Sequence, residues 1–215
     1  MPETPVVTFV IIAVNSIISF KGFNDDAFFD KYKFNINAIH RGNKLIILSS
    51  GFLHIDIAHL AVNMITLYFF APIVVDFLGV TGFLGVYFIS LLVGNIFSYY
   101  FHKSESYYTA VGASGAVVGI LYSAILLRPD MMLGLFFILP IPAYIFGIGY
   151  LLYSIYAMKK RQDNIGHDAH FGGAMGGYFL TLILAPNLIT ENTLMVVLLF
   201  LPIVLLFILQ KTGKL

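Results

Sequence analysis

The chain has 215 residues, of which 59% are hydrophobic and 11% are charged, and its mean hydropathy is +0.90. A soluble domain usually carries about 25% charged residues, so this composition excludes a water-soluble fold and indicates the lipid bilayer as solvent. The net charge of +1 suggests no nucleic-acid partner. Because the chain has no cysteine, disulfides, thiol nucleophiles and thiolate metal sites are excluded.

Uncharged runs long enough to cross a membrane recur along the sequence, where about 20 mostly apolar residues are needed. They cover residues 4–20, 57–75, 77–101, 106–127, 131–158, 169–190 and 192–210. Backbone groups in hydrocarbon must bond internally, and runs of this length predict helices rather than barrel strands. We therefore expect an all-α, polytopic transmembrane helical bundle. It forms one domain over residues 1–215, with a six-helix core over about 5–186 and a seventh C-terminal helix over about 192–210.

The first half of the chain predicts four helices. Helix one covers about 6–20, and because no basic residue precedes it, we expect it to be retained rather than cleaved as a signal peptide. The segment 21–44 mixes charges with aromatics, which predicts a folded loop at the membrane interface. Helix two is predicted at 46–73 and helix three at 81–101. Helix four begins near Ser114 and ends before Arg128.

The second half predicts three more helices. Helix five covers about 131–158, and Pro140 and Pro142 predict that its first part is broken or re-entrant. A loop at 159–164 leads to helix six at 169–184, and helix seven follows at 192–210. With seven spans, every Lys and Arg of the loops and C-terminus except Arg128 falls on the side of the first loop. The positive-inside rule then favours a cytoplasmic first loop.

Ser114 lies in Gly112-Ala113-Ser114-Gly115, and small residues continue to Gly119. A polar residue at membrane depth is costly and is a functional candidate by default. A serine hydroxyl becomes a nucleophile only when an adjacent base takes its proton. Taken alone, the motif is better explained as a small-residue face for close helix packing.

His170 opens helix six, in a sequence whose glycine pairs 172/176 and 173/177 give the helix a small face. Two glycine-faced helices can pack closely enough to bring Ser114 and His170 within hydrogen-bond reach, and histidine suits the role of general base. A histidine bonded to water at a helix mouth is the alternative. His167 and His170 also allow a metal site, but no third ligand or His-Glu-x-x-His motif supports it.

His59 and Asn63 lie four residues apart and share one helical face. Both can donate hydrogen bonds to the oxyanion that forms during acyl transfer. They can equally bind neighbouring helices together, so this pair alone leaves both interpretations open. The three features together are more specific than any one of them.

Together these residues resemble the rhomboid family of intramembrane serine proteases, over helices one to six. The family's Gly-x-Ser-Gly falls on Gly112 to Gly115, and its Ala-His-x-x-Gly-x-x-x-Gly falls on Ala169, His170, Gly173 and Gly177. Its His-x-x-x-x-His-x-x-x-Asn falls on His54, His59 and Asn63.

The resemblance implies a role for each of these residues. Ser114 and His170 would form a catalytic dyad without a carboxylate. An oxyanion hole would be formed by His59, Asn63 and the backbone N–H of Ser114. His54 would support the first loop.

The resemblance has departures. Family members often have an aromatic residue under the histidine where this chain has Val118, so another side chain has to position His170, with Tyr122 as a candidate. The Trp-Arg of the first loop is absent. In bacterial members the active-site face is usually outside, which conflicts with the charge distribution, and we favour the family orientation.

The resulting hypothesis is an intramembrane serine endopeptidase in a bacterial cell membrane, integral and multi-pass. Its partners are transmembrane protein substrates and the lipid bilayer, and it needs no cofactor and no metal. Two alternatives stay open. One is a catalytically inactive relative that binds membrane helices, and the other is a small proton-coupled transporter that uses His59 and His170.

Overall fold

The computed structural model describes residues 5–135, 139–160 and 165–214 of the chain. It is predominantly helical, which confirms the predicted all-α membrane bundle. The helices are α1 Val6–Asn24, α2 Asp26–Tyr32, α3 Ile36–His40, α4 Ile46–Ser49, α5 Ile57–His102, α6 Ser114–Leu127, α7 Ala143–Lys160, α8 His167–Leu184, α9 Leu188–Glu191 and α10 Thr193–Lys211. The short strands are β1 Phe34–Asn35, β2 Thr109–Ala110, β3 Met132–Leu135 and β4 Leu139–Pro142.

Helix α5 accounts for two of the predicted spans. It runs for 46 residues and is interrupted at Gly79, whose φ of 69° and ψ of 175° are not helical. His59 near its start and Gly94 near its end both lie beside residues 112–115, so the chain reverses at Gly79. Among the described residues, α1, α5 and α10 are the helices long and apolar enough to cross a membrane by themselves.

Helix α6 lies at the centre of the bundle, and all its residues from Gly115 to Leu127 are buried. Glycines allow α8 to pack directly against it. A Cβ on Gly173 would overlap the carbonyl oxygen of Gly115, and a Cβ on Gly177 would overlap that of Gly119. The close approach expected between the two glycine-faced helices is therefore confirmed.

The second glycine pair of α8 packs against a different helix. A Cβ on Gly172 would lie 2.6 Å from the Cβ of Phe97, and one on Gly176 would lie 2.9 Å from the Cα of Ser90. Phe97 and Ser90 belong to the second half of α5. Helix α8 is consequently held between α5 and α6 by two neighbouring glycine faces, and this contact fixes the position of its first turn.

The residues between α1 and α5 (25–56) form a folded segment, which agrees with the folded loop predicted at 21–44, and its place at the membrane interface stays a prediction. Strand β1 pairs antiparallel with β2, so that Phe34 faces Ala110. Phe34, Ile36, Ile39 and Ile46 form a small apolar core of their own. The segment is thereby attached to the residues that lead into α6.

Two predicted boundaries are wrong. Helix two was expected from residue 46, but residues 46–52 form α4 and a 3₁₀ turn, and the spanning helix begins at Ile57. The side chain of Asp56 caps it by accepting the N–H of His59 at 2.7 Å. His54 accordingly lies outside the helix that carries His59 and Asn63.

Helix five was expected from residue 131, but α7 begins at Ala143. The residues before it form an antiparallel hairpin of β3 and β4, which agrees with the break expected from Pro140 and Pro142. Of the predicted loop at 159–164, residues 161–164 lie outside the described part of the chain.

The C-terminal helix α10 lies beside α7 and α8. The hydroxyl of Tyr178 on α8 donates to the carbonyl oxygen of Val196 at 2.8 Å, and the rings of Tyr178 and Phe200 stack with centroids 5.9 Å apart. Leu199 approaches α7, because a Cβ on Gly147 would lie 3.6 Å from its Cδ2. Helix α10 therefore supports the outer side of α7.

Candidate active site

Ser114 and His170 meet at the same end of the bundle, each at or near the start of its helix. The Oγ of Ser114 and the Nε2 of His170 are 2.6 Å apart, which is hydrogen-bond distance. His170 is 7% exposed and Ser114 is partly buried. The structure thus brings together the nucleophile and base candidates that the sequence placed on separate helices.

The main chain of Ala169 sets the position of His170. A Cβ on Gly94 of α5 would lie 2.6 Å from the carbonyl oxygen of Ala169, and a Cβ on Gly115 of α6 would lie 3.2 Å from the same atom. Residues with side chains at these two positions would press on the peptide that carries His170. Glycine at 94 and 115 is therefore required for the short distance between Ser114 and His170.

Tyr150 on α7 contacts the other nitrogen of His170. Its hydroxyl lies 2.6 Å from Nδ1, and the two rings are 5.9 Å apart with an interplanar angle of 29°. Tyr122, the residue expected to position His170, instead donates its hydroxyl hydrogen to the carbonyl oxygen of Gly147 on α7. That expectation was wrong because Tyr122 projects from α6 toward α7, not toward α8.

His59 lies against the loop that precedes Ser114. Gly112 has a φ of 134°, and a Cβ there would lie 2.8 Å from Cε1 of His59 and 3.6 Å from Oγ of Ser114. A positive φ and the proximity of the imidazole both favour glycine at this position. The structure therefore places His59 beside the loop that leads into Ser114.

Asn63 lies one helical turn after His59 and is 4% exposed. Its side-chain amide donates a hydrogen bond to the carbonyl oxygen of His59 at 2.9 Å. An amide group has two N–H donors, so this bond fixes the side chain and leaves a second N–H for another acceptor.

His54 contacts both α1 and the loop that precedes Ser114. Its Nδ1 lies 2.8 Å from Oγ of Ser19 on α1, and the backbone N–H of Ala113 points to its Nε2 at 3.4 Å. Ser19 in turn donates to the carbonyl oxygen of Phe52 at 3.0 Å. The imidazole is fully buried. It therefore connects α1 to the residue immediately before Ser114.

Burial lowers the pKa of His54 to about 3, with a further lowering by His59 and an opposing effect of Asp56. The hydrogen bonds agree with a neutral ring, since Nε2 must keep a lone pair to accept the N–H of Ala113. The sequence motif indicated His54 but not its partners. Ser19 could have been found from the buried face of α1, where Thr8, Asn15 and Ser19 recur at helical spacing.

A second cluster of titratable residues lies close to the start of α8. His102 at the end of α5 lies 2.8 Å from Glu105 and 3.5 Å from Asp168, which is 4% exposed. The ring of Tyr108 stacks on that of His102 with centroids 3.6 Å apart. When His102 is protonated, the cluster attaches the first turn of α8 to the end of α5.

Among the described residues, no third side chain joins His167 and His170 to form a metal site. The ring of His167 faces that of Tyr153, with centroids 5.4 Å apart. In the described part of the chain, no group of three or more His, Asp and Glu side chains is arranged to hold a metal ion.

Comparison with known proteins identifies the family. Residues 41–187, which include both members of the Ser114–His170 pair, match the family described as the Rhomboid domain. The chain belongs to the rhomboid family. The match also includes His54, His59 and Asn63, so all the residues singled out from the sequence lie within the rhomboid domain.

Three curated rhomboid relatives show the extent of the similarity. RHOMBOID-like protein 12, mitochondrial, of Arabidopsis thaliana is 29% identical over 180 residues, which cover 77% of this chain and 54% of the relative. Rhomboid protein 1, mitochondrial, of Saccharomyces cerevisiae is 29% identical over 63% of this chain and 40% of its own length. Presenilin-associated rhomboid-like protein, mitochondrial, of Homo sapiens is 32% identical over 60% of this chain and 35% of its own length. The chain thus spans about half or less of the length of these relatives.

Proposed function

We propose that the chain is an intramembrane serine endopeptidase in which Ser114 is the nucleophile and His170 the general base. The observation that carries the proposal is the distance of 2.6 Å between Oγ of Ser114 and Nε2 of His170. A serine and a histidine in direct hydrogen-bond contact, with the histidine buried and the serine partly buried, form the arrangement that activates a hydroxyl for acyl transfer. Membership of the rhomboid family supports the same reaction class.

The reaction has two stages. Oγ of Ser114 attacks a peptide carbonyl carbon while Nε2 of His170 takes the hydroxyl proton. The C–N bond then breaks as His170 returns that proton to the leaving amine, which gives an acyl-enzyme. A water molecule, deprotonated by His170, attacks the acyl carbon and releases Ser114 as the free hydroxyl. The carboxylic product and the amine account for all atoms of the peptide and water.

His59 and Asn63 are proposed to stabilise the oxyanion together with the backbone N–H of Ser114. The support is the position of the His59 imidazole beside Gly112 and Ser114, and the fixed amide of Asn63 one turn away. Preorganised donors of this kind are often the largest catalytic contribution in acyl transfer. Glycine at 112 makes the approach of His59 possible.

The length of α6 supports cleavage within or near a membrane span. Its 14 residues extend over about 21 Å, whereas the hydrocarbon core is about 30 Å thick. If the end at Arg128 lies at one membrane surface, Ser114 lies about 9 Å below the other. Substrates are proposed to be transmembrane segments, with residues that weaken the helix and expose the carbonyl group, and with a small side chain before the cleaved bond.

Cleavage of a single-span test substrate by the detergent-solubilised chain tests the assignment. We expect Ser114→Ala and His170→Ala to abolish cleavage. Ser123→Ala is a matched control, because Ser123 is also a buried serine of α6 but its hydroxyl bonds Thr181 at 2.7 Å. Cleavage by Ser114→Ala at the wild-type rate would show that the dyad assignment is wrong.

Reaction with a fluorophosphonate probe separates an enzyme from an inactive relative that only binds membrane helices. The proposed enzyme is labelled at Ser114, and the label is lost in Ser114→Ala and strongly reduced in His170→Ala. An inactive relative or a proton-coupled transporter would not react at Ser114.

We also propose that the chain forms a single domain of a multi-pass membrane protein. A bacterial cell membrane stays a prediction, and the three relatives described above are named as mitochondrial proteins. Fractionation of the source cells would decide which membrane holds the chain.

A further inference from the structure

We propose that Tyr150 is a positioning residue for His170, and this rests on the proposed function of the Ser114–His170 pair. The hydroxyl oxygen of Tyr150 accepts the hydrogen on Nδ1 of His170. It thereby holds the imidazole in the tautomer whose Nε2 can take the proton of Ser114.

The two ring nitrogens of His170 each have a hydrogen-bond partner from a different helix. Ser114 on α6 lies 2.6 Å from Nε2, and Tyr150 on α7 lies 2.6 Å from Nδ1. These two contacts are at opposite sides of the ring, so together they fix both its position and its rotation. No sequence motif of the family pattern includes residue 150.

The chemistry of imidazole decides which way the two hydrogen bonds run during catalysis. A neutral imidazole carries one N–H, and the partner of one nitrogen determines the state of the other. If the hydrogen were on Nε2, the hydroxyl of Ser114 would face a donor and could not give up its proton. With the hydrogen on Nδ1, Tyr150 accepts it and Nε2 keeps its lone pair for Ser114.

The hydrogen bond between Nδ1 of His170 and Tyr150 is also compatible with the imidazolium that forms next. After Nε2 has taken the proton from Ser114, both nitrogens of the imidazolium are donors. The oxygen of Tyr150 continues to accept from Nδ1, and no proton moves to Tyr150. Hydrogen bonds to a charged group are stronger than those between neutral groups, so the contact contributes most when the charge develops.

Helix α7 is fixed at the turn that precedes Tyr150. The hydroxyl of Tyr122 donates to the carbonyl oxygen of Gly147, and a Cβ on Gly147 would lie 2.9 Å from Cδ1 of Ile125 on α6. The ring of Phe146 stacks on that of Tyr150, with centroids 5.9 Å apart and an angle of 11°. Tyr122 therefore holds the helix that presents Tyr150.

The kinetic test compares two variants that each remove one tyrosine hydroxyl, Tyr150 on α7 and Tyr122 on α6. We expect Tyr150→Phe to lower kcat about 10- to 100-fold with KM within about twofold, because the ring remains and only the acceptor is lost. Tyr122→Phe is the matched control, with a lowered thermal midpoint but a smaller loss of kcat. A kcat of Tyr150→Phe within about twofold of wild type, while Ser114→Ala is inactive, would overturn the role of Tyr150 and leave the proposed function intact.

The tautomer of His170 can be observed without any cleavage assay. In chains labelled with ¹⁵N-histidine, the His170 signals are assigned by their loss in His170→Ala. We expect the Nδ1–H tautomer in the wild type at neutral pH and a mixture of tautomers in Tyr150→Phe. An Nε2–H tautomer in the wild type, or an unchanged tautomer in Tyr150→Phe, would contradict the proposal. Absent fluorophosphonate labelling would instead contradict the proposed function, and the NMR result would still decide whether Tyr150 sets the tautomer.

Discussion

Substituting Gly94 by alanine tests whether main-chain packing sets the geometry of the dyad. The added Cβ would lie 2.6 Å from the carbonyl oxygen of Ala169, whereas ordinary van der Waals contact begins at 3.4 Å. The first turn of α8 therefore has to move about 0.8 Å away from α5. Because Ala169 is bonded to His170, the displacement is passed on to the imidazole.

The expected loss of kcat follows from how strongly the reaction rate depends on the positions of the reacting groups. A misplacement of about 1 Å can cost about 10²-fold in rate, so we expect Gly94→Ala to lower kcat about 10- to 100-fold. The assay is cleavage of the single-span substrate, with the rate of fluorophosphonate labelling as a second measure. A lower thermal midpoint is expected as well, because the overlap involves backbone rather than a flexible side chain.

Gly85→Ala is the matched control on the same helix. A Cβ there would lie 3.7 Å from Cδ2 of Leu180, which is ordinary contact, so alanine fits without displacing α8. We expect cleavage near the wild-type rate and a thermal midpoint that is unchanged or raised, because alanine favours a helix over glycine. Equal cleavage by Gly94→Ala and Gly85→Ala would refute the reasoning that the Gly94–Ala169 contact positions His170.

Three further predictions concern residues around the dyad. The unfolded chain binds a proton at His54 near the ordinary pKa of 6.5, whereas the folded pKa is about 3. Stability in detergent should therefore fall below pH 6.5 by about 1.4 kcal/mol per unit. This slope should weaken in His54→Gln, and an equal slope in both proteins would contradict the assignment. Gly112→Ala should reduce cleavage and thermal midpoint together, because its φ of 134° and the His59 ring both oppose a Cβ, and full activity would contradict this. Asp168→Asn and His102→Gln should each lower the thermal midpoint, and the double variant should lose less than the two losses added, whereas additive losses would show that the residues do not interact.

The helices were predictable because long uncharged runs are typical of membrane-spanning helices, but two boundaries depended on local chemistry. The start of α5 was misplaced since residues 46–53 carry no charge and are mostly apolar. Asp56 is the sequence signal that was overlooked, because an aspartate before an apolar run is a favoured helix N-cap. The hairpin of β3 and β4 was foreseen only as a break, since proline excludes a helix without specifying what replaces it.

The site was predictable to the extent that its residues lie in short motifs. Ser114, His170, His59 and Asn63 could be singled out because polar residues at membrane depth are few and have characteristic spacings. The close contact between Ser114 and His170 depends on glycines at the helix interfaces, and such glycine patterns can be read from the sequence. The partners of His54 were missed because Ser19 and Ala113 are distant in sequence and the latter contributes only its backbone N–H.

Tyr150 shows what sequence reasoning could not reach. The absence of an aromatic residue at Val118 predicted that another side chain supports His170, and Tyr150 is the residue observed beside its Nδ1. Choosing that side chain requires the rotation of α7 about its axis, and α7 also carries Tyr144, Tyr153 and Tyr156. The rotation is fixed by the bond from Tyr122 to Gly147 and by the packing of Ile125, contacts between helices that no local pattern encodes. The contact of Tyr150 with His170 is therefore a property of how α6, α7 and α8 pack.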